Sequence, residues 1–196
     1  MQLVVLILAA GKSSRMGNIK QLLKIEGKTL IENAIETSMK IEKTSTLCVL
    51  GAHAAEIKKK VDMSNVDVTI NKDYELGLSS SIISGIKHLQ KQKKQFDGIF
   101  LLLADQPAIK VAYYQEMVAL FSKEKKKIIA SRYENRFGVP AIFPKSFIKN
   151  LLAIKGDKGA REFLQKNKKE ILSPNTRVNL VDIDTPKEYK SYLNTL

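Results

Sequence analysis

The chain has 196 residues, 44% hydrophobic and 27% charged, a size and balance that fit one packed domain and exclude a disordered or fibrous chain. Its net charge of +13 and pI near 9.7 admit an acidic ligand, nucleic acid or an anionic membrane as partner. The charge is mostly lysine in helical surface runs such as Lys58 to Lys60, Lys91 to Lys94 and Lys123 to Lys127. With no Trp, RNA-reading aromatic motif or helix-turn-helix spacing, these read as a solvated surface, and neither nucleic acid nor membrane is expected as partner.

Val4 to Leu8 is an apolar, β-branched run with no polar face, the signature of a central parallel strand. The apolar start, Met1 to Ala10, lacks a basic leader and is far shorter than the roughly 20 residues of a membrane span, so a cytoplasmic protein is expected. Leu30, Ile31, Ala34, Ile35, Ser38 and Met39 recur at helical spacing. A strand at Thr46–Leu50 holds the lone Cys48, read as a buried thiol in a reducing compartment. A short helix over Ala54–Lys60 and an alternating strand over Val66–Ile70 follow. Gly77 to Ser81 precedes a helix with Ile82, Ile83, Ile86 and Leu89 on one face, and its serines serve either as N-cap or as ligands.

Gly98 to Ala104 is the strongest buried-strand signal, ended by Asp105-Gln106-Pro107 so that Asp105 stands at its carboxyl end. A helix from about Ala112 to Ser122, a strand near Lys127–Ser131 and a short antiparallel strand at Ala141–Phe143 come next. Helices with Phe147, Ile148, Leu151 and Leu152, capped by Ser146, and with Phe163 and Leu164 precede a last strand, Arg177–Ile183. Thr185-Pro186-Lys187-Glu188 is a capping box that starts a final helix. Alternating strands and helices predict a single-domain, Rossmann-like α/β/α sandwich of three layers, with a mostly parallel sheet and a short antiparallel element. Ligands in such sheets bind beyond the carboxyl ends of the strands. The loop after the first strand, the serines, Asp105, Asp182 and Asp184 are therefore expected on one edge.

That loop, Leu8-Ala9-Ala10-Gly11-Lys12-Ser13-Ser14-Arg15-Met16-Gly17-Asn18-Ile19-Lys20, suits a polyanion. Its glycines permit close backbone approach, Arg15 supplies a planar fork and Lys20 a point charge. It is not a Walker A loop, because Leu6 stands where the first glycine is required, and not a dinucleotide fingerprint, because Ala9 and Ala10 replace glycines. His53 and His88 share no metal spacing and read as surface or structural residues. With these two histidines and no nucleophile motif, a serine or cysteine hydrolase is not expected.

The same run resembles the opening motif of nucleotidyltransferases that activate sugars, isoprenoid precursors and pterins. Gly77 to Ser81, Asp105-Gln106-Pro107, Gly138-x-Pro140, Gly156-Asp157-x-Gly159-Ala160-Arg161 and Asp182-Ile183-Asp184-Thr185-Pro186 resemble one branch of it, the molybdenum cofactor cytidylyltransferases. The resemblance implies a nucleotide-binding part over about residues 1–110 and an acceptor-binding part over about 111–196. It implies a nucleoside triphosphate held by Leu8, Ala9, Ala10, Gly11, Arg15, Lys20, Gly77, Ser79, Ser80 and Asp105, with Arg15, Lys20 and Asp105 catalytic. The resemblance further implies Mg2+ on Asp105 and on Asp182 or, as the lesser choice, Asp184, which agrees with the preference of Mg2+ for one or two carboxylates plus phosphate oxygens and water. The implied acceptor is a molybdopterin-type phosphate near Gly138, Pro140, Asp157 and Arg161, with a molybdoenzyme or its chaperone as transient partner. CTP is the expected donor, since the guanylyl branch usually has Gly-Gly where this chain has Ala10-Gly11. The alternatives are a GTP-using guanylyltransferase, a transferase for another phosphorylated acceptor, and a non-catalytic nucleotide or pterin carrier.

Overall fold

The computed structural model describes residues 1–156, 159–176 and 178–196. In chain order it forms β1 (Leu3–Ala9), β2 (Lys24–Ile25), β3 (Lys28–Thr29), α1 (Leu30–Met39), β4 (Thr44–Leu50), α2 (Ala54–Lys60), β5 (Asp67–Ile70) and α3 (Leu78–Lys91). There follow β6 (Gly98–Leu103), α4 (Val111–Lys123), β7 (Ile128–Tyr133), β8 (Arg136–Pro144), α5 (Ile148–Leu151), α6 (Gly159–Lys166), β9 (Ile171–Leu172) and α7 (Pro186–Leu193).

Seven strands join in one sheet in the order β5-β4-β1-β6-β8-β7-β9, and β2 pairs with β3 in a small hairpin. β1 lies parallel between β4 and β6. β8 alone runs antiparallel, wedged between β6 and β7. The chain steps outward from β1 to β4 to β5 and then crosses back to β6 on the other side of β1. That reversal is the switch point at which open α/β sheets form a crevice beyond their strand ends.

β1 has no exposed residue because both faces are covered. Leu3, Val5 and Ile7 point into a core with Ile31 and Ile35 of α1, Ile57 of α2 and Met117 and Phe121 of α4. Val4, Leu6 and Leu8 point into the opposite core, with Ile82, Ile86 and Leu89 of α3, Leu151 of α5 and Leu164 of α6. The three layers are as expected. Gly85 permits the close seating of α3, since a Cβ there would lie 2.9 Å from Leu6 Cδ1 and 3.2 Å from Val49 Cγ2.

Four sequence expectations are corrected. Residues 178–183 do not form a strand, and position 177 lies outside the described residues. Val178 and Leu180 instead pack on the first core, so their alternation reflects packing rather than ladder pairing; the sheet edge there is β9. The antiparallel strand spans nine residues, not three. The serines are not the cap of α3: Gly77 is its N-cap residue, at φ +90°, and the serines lie in the first turn. Ser146 likewise supplies no cap, falling inside a 3-10 turn, Lys145–Phe147, before the four-residue α5. The Thr185–Glu188 capping box forms as read, and Thr29 with Glu32 builds the same box on α1.

A third, smaller core joins Met16, Ile25, Leu30 and Ile183, with Tyr189 and Tyr192 of α7 packed on it. The Ile183 amide donates to Asp105 O at 3.0 Å and the Tyr189 hydroxyl to Lys24 O at 2.5 Å. The end of the chain is thereby carried across the first loop. Phe121 is fully buried between α4 and the sheet. Phe121→Ala is expected to lower stability by about 3–5 kcal/mol, read as a lower urea midpoint with an unchanged slope.

Candidate active site

A cavity of about 600 Å3 lies at the carboxyl ends of β1 and β6. It is walled by Leu8 to Arg15 and Lys20 from the first loop, Tyr74, Glu75, Gly77 and Leu78 before and at the start of α3, Asp105 after β6, and Asp182 and Asp184.

The loop leaves β1 and is held in shape from within. Gln21, buried at 4% exposure, donates through Nε2 to Ala9 O at 3.0 Å and Gly11 O at 3.1 Å. The Ser13 hydroxyl donates to Gln21 Oε1 and accepts from the Lys20 amide at 3.0 Å. Gly17 completes the turn at φ +71°, a conformation that glycine adopts at little cost. A Cβ at Gly11 would meet nothing within 4 Å, so the backbone there faces open space. On the far wall Lys12 pairs with Glu75 and lies 5.7 Å from the Tyr74 ring centroid.

The charged groups meet at one point. Lys20 Nζ pairs with Asp105 Oδ2 and, at 2.7 Å, with Asp184 Oδ1. Arg15 donates to Asp184 Oδ2 at 2.8 Å. Burial works against the Lys20 cation, but Asp105 and Asp184 outweigh it and hold its pKa above the ordinary lysine value. Burial also opposes the Asp184 carboxylate, yet Lys20 and Arg15 bring its pKa below the usual value. Asp182 behaves oppositely: burial, then the nearby Asp105 charge, raise its pKa. Asp105 Oδ1 is buried with no hydrogen-bond partner among the described residues.

Leu8, Ala9, Ala10, Gly11, Arg15, Lys20, Gly77, Asp105, Arg161, Asp182 and Asp184 thus line one pocket. Ser79 and Ser80 do not. Ser79 is buried and its hydroxyl donates to Gly156 O, and the Ser80 hydroxyl donates to Gly77 O at 2.7 Å. Ser81 lines the cavity instead. Gly138 and Pro140 lie in β8, away from the lining, and Asp157 lies outside the described residues. Gly138 faces the Tyr133 ring so closely that a Cβ would stand 2.7 Å from Cε2. The sequence reading missed Gln21 and Gln106. Neither stands out by periodicity, although Gln106 follows directly on Asp105.

The site fits a divalent cation in one respect, the unpartnered buried Asp105 Oδ1. No group of three or more His, Cys, Asp or Glu that could hold a metal occurs among the described residues, so any cation here would take its remaining ligands from phosphate and water.

The chain matches the MobA-like NTP transferase domain over residues 5–171. Purine catabolism protein PucB of Bacillus subtilis (strain 168) is 31% identical over 202 aligned positions, covering 95% of this chain and 94% of that one. Nicotine blue oxidoreductase of Paenarthrobacter nicotinovorans is 28% identical over 169 positions, covering 82% and 80%. Rv0371c from Mycobacterium tuberculosis H37Rv shares the fold over 100% of both chains, with a TM-score of 0.86 at 24% identity. Its manganese complex gives 0.83 at 22%, again over 100% of both chains. Its strand-end pocket and this match over most of the sheet agree: the chain belongs to the MobA-like NTP transferase family and is a nucleotidyltransferase domain.

Proposed function

We propose that this domain transfers CMP from CTP to the phosphate of a small, molybdopterin-type acceptor and releases pyrophosphate, with Mg2+ on Asp105 and Asp182. The observation that carries the reading is Asp105. Its Oδ1 is buried without a partner, in a pocket that also presents Lys20 and Arg15. A buried carboxylate oxygen without hydrogen bonds is costly, and a divalent cation held by Asp105 would remove that cost.

An acceptor phosphate oxygen attacks the α-phosphorus, a new P–O bond forms, and the bond to the bridging oxygen of pyrophosphate breaks. No general base is needed, because a phosphomonoester is largely ionised at neutral pH. A cation held by Asp105 and Asp182 would supply neutralisation of charge on the α-phosphate. Positioning and electrostatics supply the rest. Lys20, held beside Asp105, stabilises charge developing at the α-phosphate, and Arg15 at the loop takes the leaving pyrophosphate. Both cations pair with Asp184 in the free protein, so phosphate binding exchanges a carboxylate partner for phosphate oxygens. This gives Asp184 the role of holding the cations and leaves the second metal position to Asp182. Arg161 is the pocket residue suited to an acceptor phosphate.

CTP is preferred over GTP on the resemblance: the guanylyl branch usually has Gly-Gly where this chain has Ala10-Gly11, both in the pocket lining. Gly51 leaves room for the Ala10 methyl, since a Cβ at Gly51 would lie 2.7 Å from Ala10 Cβ. Oxidoreduction, suggested by the second relative's name, is not adopted: Ala9 and Ala10 occupy positions at which a dinucleotide fingerprint requires glycine.

A competition assay with the four nucleoside triphosphates, Mg2+ and a pterin phosphate acceptor is expected to release pyrophosphate fastest with CTP. Preference for GTP overturns the donor assignment, and tight binding without turnover supports a carrier. Asp105→Asn is expected to abolish Mg2+-dependent pyrophosphate release while leaving thermal unfolding cooperative; unchanged turnover removes Asp105 from the metal site. Lys20→Ala is expected to lower kcat by about 10²–10³-fold with a smaller change in nucleotide KM, a split read from steady-state kinetics.

A further inference from the structure

Gln106 is 4% exposed and lies one residue after Asp105. Its Nε2 donates to Asp182 Oδ1 at 2.7 Å and to the Tyr133 hydroxyl at 3.0 Å. The Tyr133 hydroxyl in turn donates to Val139 O at 2.6 Å, so it can only accept from Gln106. Both N–H bonds of the amide are thereby committed, and the amide cannot turn over without setting its carbonyl oxygen against the Asp182 carboxylate. Gln106 Oε1 remains buried without a hydrogen bond. A residue serving packing alone would not bury an unpaired carbonyl.

The ring that anchors this amide has its own support. Gly138 lets Tyr133 lie against β8, where any side chain would collide with it, and Arg136 stacks over the ring at 4.9 Å from its centroid. Asp182 has no ladder pairing to hold it, because residues 178–184 are not in a strand. Its Oδ2 enters none of the hydrogen bonds found among the described residues, while its side chain lines the pocket.

We infer that Gln106, braced by Tyr133 and Gly138, is a positioning residue that holds Asp182 by Oδ1 and leaves Oδ2 to the pocket's divalent cation. The inference rests on the proposed metal role of Asp182. It gives Gly138 a function one step removed from any acceptor: the glycine keeps Tyr133 in place, and Tyr133 keeps the amide in place.

The test is Mn2+ binding to the protein with CTP, followed by the loss of the free-ion electron paramagnetic resonance signal after subtraction of binding to CTP alone. Wild type, Gln106→Met, Asp182→Asn, the double variant and Tyr133→Phe are compared, with thermal unfolding and metal-free CTP binding measured for each. Gln106→Met is expected to weaken Mn2+ binding about tenfold, leave metal-free CTP binding unchanged and add nothing in the Asp182→Asn background. Tyr133→Phe, which removes one hydroxyl, is expected to weaken Mn2+ binding in the same direction by a smaller factor, and it decides the matter if Gln106→Met does not fold. Mn2+ affinity within twofold of wild type in the folded variants, or losses from Gln106→Met and Asp182→Asn that add in full, overturns the inference. If Asp182→Asn itself leaves Mn2+ binding intact, the metal assignment fails and the inference with it. Absence of pyrophosphate release by wild type would count against the proposed reaction alone, because the binding readout does not depend on turnover.

Discussion

One ammonium group ties together three distant parts of the chain. Lys20 is only 15% exposed and lies between Asp105, 85 residues away, and Asp184, 164 residues away. Asp105 follows β6, and Asp184 precedes α7. Without the cation, Asp105, Asp182 and Asp184 would crowd like charges into one pocket. Breaking a buried ion pair by removing one partner costs about 3–5 kcal/mol, because a charge is left uncompensated. The arrangement therefore needs Lys20 for structure before any substrate arrives, and a polyanion must compete with Asp184 for it.

The sheet makes that meeting possible. β1 and β6 are neighbours with their carboxyl ends at the same edge, so the first loop and Asp105 are adjacent although β4, β5 and three helices intervene in sequence. The C-terminal segment reaches the same edge by a different device. Among the described residues it forms no strand beyond β9; a backbone bond from Ile183 to Asp105, the small core around Met16, Ile25 and Leu30, and the side-chain bonds of Asp182, Asp184 and Tyr189 hold it there. Asp182 and Asp184 consequently bracket a fully buried Ile183, and each carboxylate meets a different partner.

Those partners divide the acidic residues by environment. Asp184 faces two cations and is stabilised as a carboxylate, whereas Asp182 faces burial, the Asp105 charge and one amide. Two buried glutamines organise the neighbouring backbone and side chains, Gln21 by gathering Ala9 and Gly11 of the loop and Gln106 by joining Asp182 to Tyr133. Tyr133 is itself pushed up to about 12 by burial and by the Asp182 charge, so its hydroxyl keeps its proton and remains a donor to Val139.

Local pattern was sufficient for β1, β4, β6, α1, α3, α4 and the capped start of α7, because strand alternation, helical spacing and a capping box are each written within a few residues. It was also sufficient to mark Arg15, Lys20 and Asp105 as groups for one strand-end site, since they follow apolar strands there; Asp182 and Asp184 reach the same pocket, but not at the end of the strand expected for them. Tertiary structure alone decided that residues 178–183 pack without pairing, that Ser79 and Ser80 turn away from the cavity, and that Gly138 serves the Tyr133 ring. It alone assigned Lys20 and Arg15 to Asp184 and Gln106 to Asp182. The physical reason is that a side chain's partner is set by which distant segments arrive beside it, and no spacing within a single segment encodes that arrival.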